Sequence, residues 1–214
     1  MKKALTILSI FIFYFSFSQI NVEEIKKNVT ENPQKYYYEY LEIFKKEPSK
    51  LSQEQMNQLY YGSRFVKSEY STKDYNNDYD SIWKLAGNRI SKNKAQKIVS
   101  LAEEKYLKNP LDKEILLKTA NIYNALGENA KSELCNNQYL AIVSTIENSG
   151  DGKTENTPIF VISAGDMISM LKRVMGGFGD FKQKDKDLPD GSLLTEYSVG
   201  ENKIFVELVG GFQF

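Results

Sequence analysis

The chain of 214 residues contains no histidine and a single cysteine. Without histidine it cannot build a Ser-His-Asp or Cys-His catalytic arrangement, and the usual zinc sites are excluded as well. Any enzyme made from this chain would have to use paired carboxylates or a lysine-assisted nucleophile. The lone thiol, Cys135, cannot form a disulfide within the chain. Its place on the inner face of a predicted helix favours a core residue over a nucleophile.

An excess of charge of either sign is also missing, because 28 Lys and Arg residues balance 28 Asp and Glu residues. Nucleic acid is therefore not the expected partner, since phosphate binding needs a cationic surface. Beyond the N-terminus, no stretch is apolar enough to span a membrane. The hydrophobic fraction of 41% is sufficient for the core of one domain, or of one domain with a modest appendage.

The N-terminus carries the pattern of a secretory signal peptide. Lys2 and Lys3 precede an apolar segment, residues 5–15, that is too short to cross a bilayer. Residues 16–18 (Ser-Phe-Ser) then place small side chains at both recognition positions. We therefore predict a signal peptide at residues 1–18 and export to the periplasm or the outside of the cell. An uncleaved anchor or a buried N-terminal helix is the alternative, but the abrupt change to polar sequence favours cleavage after Ser18.

Residues 19–147 carry apolar side chains at helical spacing, which predicts stacked helical hairpins. The clearest hairpin has one stripe through Leu116 and Tyr123, a break at Gly127, and a second stripe that starts at Ala130. Neither helix can bury its stripe alone, so the pair needs neighbours. Further helices are predicted around residues 36–44, 53–66, 82–90 and 98–106, with a polar connection at 67–80. Ser52 with Gln55 forms a predicted capping box, and Asp112 is a predicted N-cap.

The hairpin that begins at Pro110 resembles a tetratricopeptide repeat. Pro110 takes the place of the preceding repeat's terminal proline, Ala120 the small position, Tyr123 the aromatic position and Gly127 the turn. The resemblance covers about one repeat, because Ile98 stands in the preceding helix where a small residue is expected. A degenerate helical array is therefore predicted, and the resemblance implies a concave face that binds protein.

The composition changes after residue 147, and we predict that residues 148–214 form a small α/β region packed on the helices. A turn-rich seam at residues 147–157 leads into the apolar strand 158–163. A helix follows, with Ser163 and Asp166 as its cap, and ends at Gly176-Gly177. Residues 178–191 are predicted to be a charged loop, before a hairpin of two alternating strands at 193–199 and 203–209. The predicted fold class is α+β, with helical hairpins followed by a β-α-β-β unit.

Three segments resemble an uncharacterised secreted bacterial family, domain of unknown function 4919. They are LYYGSRF at residues 59–65, SGDGKTENTPIFVI at 149–162, and the closing IFVELVGGF at 204–212. The SGDG seam that leads into an apolar strand is the most specific of the three. No activity is assigned to that family, so the resemblance implies a fold and supplies no catalytic residues.

The acidic and glycine-rich loops offer weak candidate sites. Asp151 lies between two glycines and is predicted to be a turn former that hydrogen-bonds its own backbone. The acidic run Asp180, Asp185, Asp187 and Asp190 only vaguely approaches the spacing of a calcium loop, and a solvated loop is favoured. Residues 176–179 (Gly-Gly-Phe-Gly) lack the helix and lysine that a phosphate loop requires, so a helix cap or hinge is favoured.

Tyrosines could line a groove for a peptide or a glycan, although most of them are expected in the core. Tyr61, Arg64 and Tyr70 are the predicted exposed members, and Tyr60, Tyr61 and Arg64 the predicted hot spots of an interface. We predict a non-enzymatic module of the cell envelope that binds a protein or peptide, without cofactor or metal. The alternatives are a hydrolase that uses Asp151 with a second carboxylate, and a glycan-binding module built on a tyrosine platform. The oligomeric state stays open.

Overall fold

The computed structural model describes residues 20–66, 89–175 and 181–211 and confirms the α+β class, with seven α-helices and a four-stranded sheet in these ranges. The helices are α1 (Val22–Glu31), α2 (Glu39–Lys46), α3 (Gln53–Gly62), α4 (Lys92–Lys108), α5 (Lys113–Leu126), α6 (Asn129–Glu147) and α7 (Ala164–Met175). A π-helical turn (Gln34–Tyr38) leads into α2, and a 3-10 turn (Pro48–Lys50) follows it. The strands are β1 (Ile159–Val161), β2 (Lys182–Asp187), β3 (Leu193–Val199) and β4 (Asn202–Leu208).

Three predicted helix boundaries are confirmed, whereas the helix predicted over residues 53–66 ends at Gly62. Ser52 Oγ accepts the backbone N–H of Gln55, whose side chain accepts the N–H of Ser52, which completes the capping box of α3. Asp112 Oδ1 accepts two backbone N–H groups at the start of α5. Gly127 ends α5 with φ at +81°, a conformation that favours glycine.

Several predictions fall outside the described residues. These are the signal peptide at residues 1–18, the connection at 67–80, nearly all of the helix at 82–90, and the glycine-rich segment at 176–179. The tetratricopeptide-like character of the array stays a prediction. Among the helices in the described ranges, none combines the length and the apolar character needed to cross a bilayer.

The sheet has the strand order β1-β4-β3-β2, with β1 parallel to β4 and the other neighbours antiparallel. The prediction of a charged loop at residues 178–191 is wrong, because Lys182–Asp187 forms the edge strand β2. All six of its side chains are exposed, so the segment shows none of the apolar alternation that predicts a strand. Lysines and aspartates on an edge strand also discourage pairing with other chains. The predicted β-α-β-β unit is therefore a β-α-β-β-β unit.

One buried cluster joins the helices to the sheet. It includes Phe44 and Leu59 from the first helices, Ile142 from α6, and Val161 and Leu208 from β1 and β4. A smaller cluster fills the space between α4 and α5, built from Ala95, Ile98, Ala102, Ile115 and Ile122. Cys135 is buried as predicted, and burial raises the pKa of its thiol to about 11. Its environment is thus that of a core residue and not of an activated nucleophile.

The two faces of the sheet have different neighbours. Successive side chains of a strand point to opposite faces, so Val206 and Leu208 of β4 share one face while Glu207 lies on the other. Tyr197 of β3 belongs to the first face, and its hydroxyl contacts Met167 Sδ of α7 at 2.9 Å. Glu207 therefore lies on the sheet face away from α7.

Candidate functional site

The predicted hot-spot residues lie at the joint between the helices and the sheet. Tyr60 is 1% exposed and Tyr61 0%, so the prediction that Tyr61 is an exposed groove residue is wrong. The cause is the position of α3, which packs between the helical array and the β1–α7 segment. The Tyr60 hydroxyl donates to Asp166 Oδ2 (2.8 Å), and the Tyr61 hydroxyl donates to the carbonyl of Phe160 (3.1 Å). A tyrosine platform for a glycan cannot be built on a side chain that solvent does not reach.

Arg64 continues this joint beyond the end of α3. Its Nε and Nη2 donate to the carbonyls of Val209 (3.1 Å) and Gly211 (2.7 Å), which holds the chain that follows β4. Tyr70 lies outside the described residues. Of the predicted binding residues, Tyr60 and Tyr61 are therefore buried, and the guanidinium of Arg64 is hydrogen-bonded to the backbone of its own chain.

A buried ion pair lies next to Tyr60. Lys113 Nζ is 3.1 Å from Asp166 Oδ1, with both residues 6% exposed, and it also donates to Ser169 Oγ at 3.0 Å. Ser163 Oγ donates to Asp166 Oδ2 (2.6 Å) and accepts the N–H of Asp166, which confirms the predicted cap. Burial, and then the nearby Asp166, raise the pKa of Tyr60 well above its ordinary value. Tyr60, Lys113 and Asp166 are buried while Ser163 is exposed at the edge of the network, so the buried members stabilise the joint between the helices and the sheet.

Asp151 is a turn former, as predicted. Its Oδ1 accepts the Lys153 N–H (3.0 Å) and the Thr157 hydroxyl (2.6 Å), and these bonds hold the pKa of Asp151 below its ordinary value. Gly150 lies so close to Pro158 that an added Cβ would be 1.9 Å from its carbonyl oxygen. Gly152 bonds to the backbone of β4, because Phe205 N donates to its carbonyl. The SGDG loop therefore packs against the sheet and stabilises it. Asp151 serves this loop, so the predicted hydrolase that uses Asp151 is not supported.

The described residues form a cleft of about 550 Å³ where the start of α1 meets the sheet face that carries Glu207. We call it the α1–β4 cleft. Its apolar lining consists of Ile20 and Val22 at the start of α1, Phe160 of β1, and Leu188 and Pro189 of the β2–β3 turn. Cavities of this size accommodate small molecules or a few side chains of a peptide.

The β2–β3 turn shapes one wall of this cleft. Leu188 N donates to the Ser192 carbonyl (2.9 Å), and Gly191 adopts φ +85°, a conformation that favours glycine. Asp190 Oδ1 accepts the backbone N–H of Ser192, and its Oδ2 accepts the Ser192 hydroxyl (3.0 Å). These bonds fix the carboxylate of Asp190 at the cleft.

Glu207 is the most unusual residue of the cleft. It is 8% exposed, on the central strand β4, and no lysine or arginine nitrogen among the described residues lies within 4.0 Å of its carboxylate. Burial, followed by the charge of Asp190, raises the pKa of Glu207 to about 7, and the nearby Ser192 side chain has a smaller opposing effect. A buried carboxylate with a shifted pKa in a cleft is a physical indication of a functional site.

Sequence reasoning did not select Glu207, although a signal was present. A glutamate between Val206 and Leu208 in an otherwise apolar strand is unusual, because buried carboxylates are costly unless they are paired. Asp190 was considered only as part of an acidic run. Among the residues in the described ranges, no group of three or more His, Cys, Asp or Glu side chains is placed to hold a metal ion.

A comparison with models of known protein families gives a match. The model of the family described as Domain of unknown function (DUF4919) matches residues 23–186, from α1 into β2. This match covers more than half of the chain and confirms that the chain belongs to this uncharacterised family. It includes the segments at residues 59–65 and 149–162, and the segment at 204–212 lies beyond it. No curated protein and no solved structure matches the chain.

Proposed function

We propose, from the premise that this chain belongs to the DUF4919 family, that it is an exported, non-enzymatic module of the cell envelope that binds a segment of a protein or peptide. The binding site that we propose is the α1–β4 cleft. The observation that supports it is an open cleft whose lining combines apolar side chains with a buried glutamate that has no cationic partner among the described residues.

The chemistry of the cleft suits a peptide. Phe160, Leu188 and Pro189 supply apolar contact area, which is the main source of affinity in such sites. Asn21, Asp190 and Glu207 supply a small number of polar groups that orient what is bound. This proposal moves the binding surface from the helical array to the junction of α1 and the sheet. Export rests on the predicted signal peptide.

Site-specific photo-crosslinking in the source cells tests the location of the site. A crosslinking amino acid is placed at Leu188 or at Glu23, both in the lining of the cleft, and at Leu140, which is 58% exposed on α6, as the control. We expect the same envelope protein from both cleft positions and not from the control. Capture from Leu140 instead would place the interface on the helical array, and capture from none of the three would contradict the proposal.

A carboxylate-dependent hydrolase is the second candidate, and the juxtaposition of Glu207 and Asp190 favours it. With a pKa of about 7, Glu207 keeps its proton in a large share of molecules at neutral pH and can act as a general acid. Asp190 would then be the base or nucleophile. Turnover of chromogenic glycosides, esters or peptides that is lost in both Glu207→Gln and Asp190→Asn would support this candidate. No turnover of any of these substrates would rule against it.

A further inference from the structure

We propose that the α1–β4 cleft selects a cationic side chain, the ammonium of a lysine or the guanidinium of an arginine, within an otherwise apolar segment of its partner. This inference rests on the proposed function and names the chemistry of the segment that the cleft holds. It follows from the charge, the depth and the walls of the cleft.

The charged residues of the cleft are all acidic. Glu23 at the start of α1, Asp190 in the β2–β3 turn and Glu207 on β4 line it, and the described lining contains no lysine or arginine. Three separate elements of the chain thus present carboxylates to one cavity. Charge complementarity disfavours an anionic occupant and favours a cationic one.

The carboxylates lie at different depths. Glu23 is exposed, Asp190 is half-buried and Glu207 is buried, so negative charge continues from the surface to the interior. A cation that reaches Glu207 pairs with a carboxylate that is already removed from water, which avoids most of the desolvation cost that ion pairing usually carries for the acid.

The walls of the cleft suit the stem of a long basic side chain. Lysine and arginine carry an apolar chain of methylene groups below the charged end, and this stem packs on apolar surface. Phe160, Leu188 and Pro189 provide such surface beside the acids. A bare metal ion would gain nothing from these walls, and calcium requires six or more oxygen ligands. An organic cation therefore fits the cleft better than an inorganic one.

The test measures binding of short peptides to residues 19–214 by ¹⁵N NMR titration and calorimetry. The probes are acetylated and amidated pentapeptides, Ala-Leu-X-Leu-Ala, in which X is lysine, arginine, norleucine or glutamate. We expect the lysine and arginine peptides to bind at least ten times more tightly than the norleucine peptide, and the glutamate peptide to bind least. The amides that shift should be those of the Leu188–Ser192 turn and of Glu207.

A matched pair of variants separates the role of Glu207 from a general loss of charge. Glu207→Gln should reduce the preference for lysine over norleucine about tenfold. Glu196→Gln, with the same change on the neighbouring strand β3 and outside the cleft lining, should keep the preference. Equal loss in both variants would overturn the inference.

The pH dependence of peptide binding tests the role of Glu207 independently. The ionisable side chains that line the cleft with Glu207 are Asp190 and Glu23, and the described lining contains no lysine or arginine. The predicted cleavage after Ser18 would add the α-amino group of Gln19, one residue before Ile20 of the lining, and this group is the same in wild type and in Glu207→Gln. Binding of the lysine peptide should weaken as the pH falls from 8 to 5.5, and this dependence should be absent in Glu207→Gln. Binding that strengthens on acidification would overturn the assignment of Glu207 as the cation's partner.

The outcomes distinguish this inference from the proposed function. Equal binding of the lysine and norleucine peptides at the cleft would overturn the selection of a cation and leave the cleft as the binding site. Crosslinks from Leu188 and Glu23 without binding of any peptide would overturn the inference alone. Absence of both peptide binding and crosslinks would overturn the inference and the proposed function together.

Discussion

At the scale of single residues, Glu207 makes the fold depend on pH. Its pKa, ordinarily near 4.5, is raised to about 7 in the folded chain, so the folded state holds a proton that the unfolded state releases between these values. Stability therefore falls as the pH rises through this window and stays lower above it. A shift of this size corresponds to about 3 kcal/mol, and solvent screening of the partly accessible carboxyl reduces it, so Glu207→Gln should be about 2 kcal/mol more stable than wild type at pH 8 and nearly equal to it at pH 4.5. Urea unfolding at a series of pH values measures this difference.

Glu196 serves as the control, because its pKa is shifted in the opposite direction to that of Glu207. Its ion pair with Lys203 (2.8 Å) holds the pKa of Glu196 below its ordinary value. The stability that it contributes is present above its unfolded pKa and is lost only as the pH falls through its folded pKa. Between pH 5 and 8 the stability of Glu196→Gln should therefore run parallel to that of wild type. A difference for Glu207→Gln that does not grow between pH 5 and 8 would contradict the assigned environment.

The buried pair of Lys113 and Asp166 gives a second prediction at this scale. Lys113→Met removes the cation and leaves the carboxylate of Asp166 in the interior with only hydroxyl and backbone neighbours, among them Ser163 and Tyr60. A buried charge without its partner costs about 3–5 kcal/mol. The double variant Lys113→Met with Asp166→Asn should recover part of this loss. Equilibrium unfolding of wild type, both single variants and the double variant measures the coupling, and a loss below about 1 kcal/mol for Lys113→Met would show that the pair is not buried.

At the scale of elements, we predict that substitution of Gly150, in the SGDG segment, destabilises the fold, whereas substitution of Gly165, in α7, does not. An added Cβ at Gly150 would meet the backbone of Pro158 at 1.9 Å and of Thr157 at 2.9 Å, and backbone atoms cannot move aside without displacing β1. Gly150→Ala should therefore destabilise the fold by more than about 3 kcal/mol. Gly165→Ala is the control, because its nearest atom is 3.7 Å away and alanine favours the first turn of α7 by up to about 1 kcal/mol. Thermal unfolding followed by circular dichroism should give a lower Tm for the first variant alone, and equal Tm values would contradict the packing of this loop.

Helix starts could be predicted because neighbouring residues in the sequence determine them. Strand β2 could not, because it is determined by pairing with β3. Ser52 and Asp112 mark helix starts because each accepts backbone N–H groups of the turn that follows, and those partners lie within three residues. Strand β2, Lys182–Asp187, exists because its backbone pairs with β3, while its side chains make no apolar pattern. That information lies in another segment of the chain and cannot be read from the strand itself.

At the scale of the whole molecule, the same limit applies to the candidate site. The cleft combines residues from positions 20–23, 160, 188–190 and 207, and only the tertiary fold brings them together. The tyrosine motif at residues 59–65 is recognisable as a motif, but its burial depends on the sheet that packs against it. Sequence alone therefore gave the fold class and the helical caps, and it placed binding on side chains that the fold turns inward.

The shared core predicts that the chain unfolds as one unit, without an independent step for residues 148–214. Leu116 of α5 and Val206 of β4 belong to the same buried cluster, and Arg64 ties the end of α3 to the chain after β4. The amides of Leu116 and Val206 should therefore exchange hydrogen with the same free energy of opening. Arg64→Ala should lower both values by an equal amount, of about 1–3 kcal/mol, because it removes two charge-assisted hydrogen bonds. Native-state hydrogen exchange measures both amides in one experiment. If Arg64→Ala lowered the protection of Val206 alone, the sheet would be a separate cooperative unit, and its cleft with α1 would open without unfolding the helices.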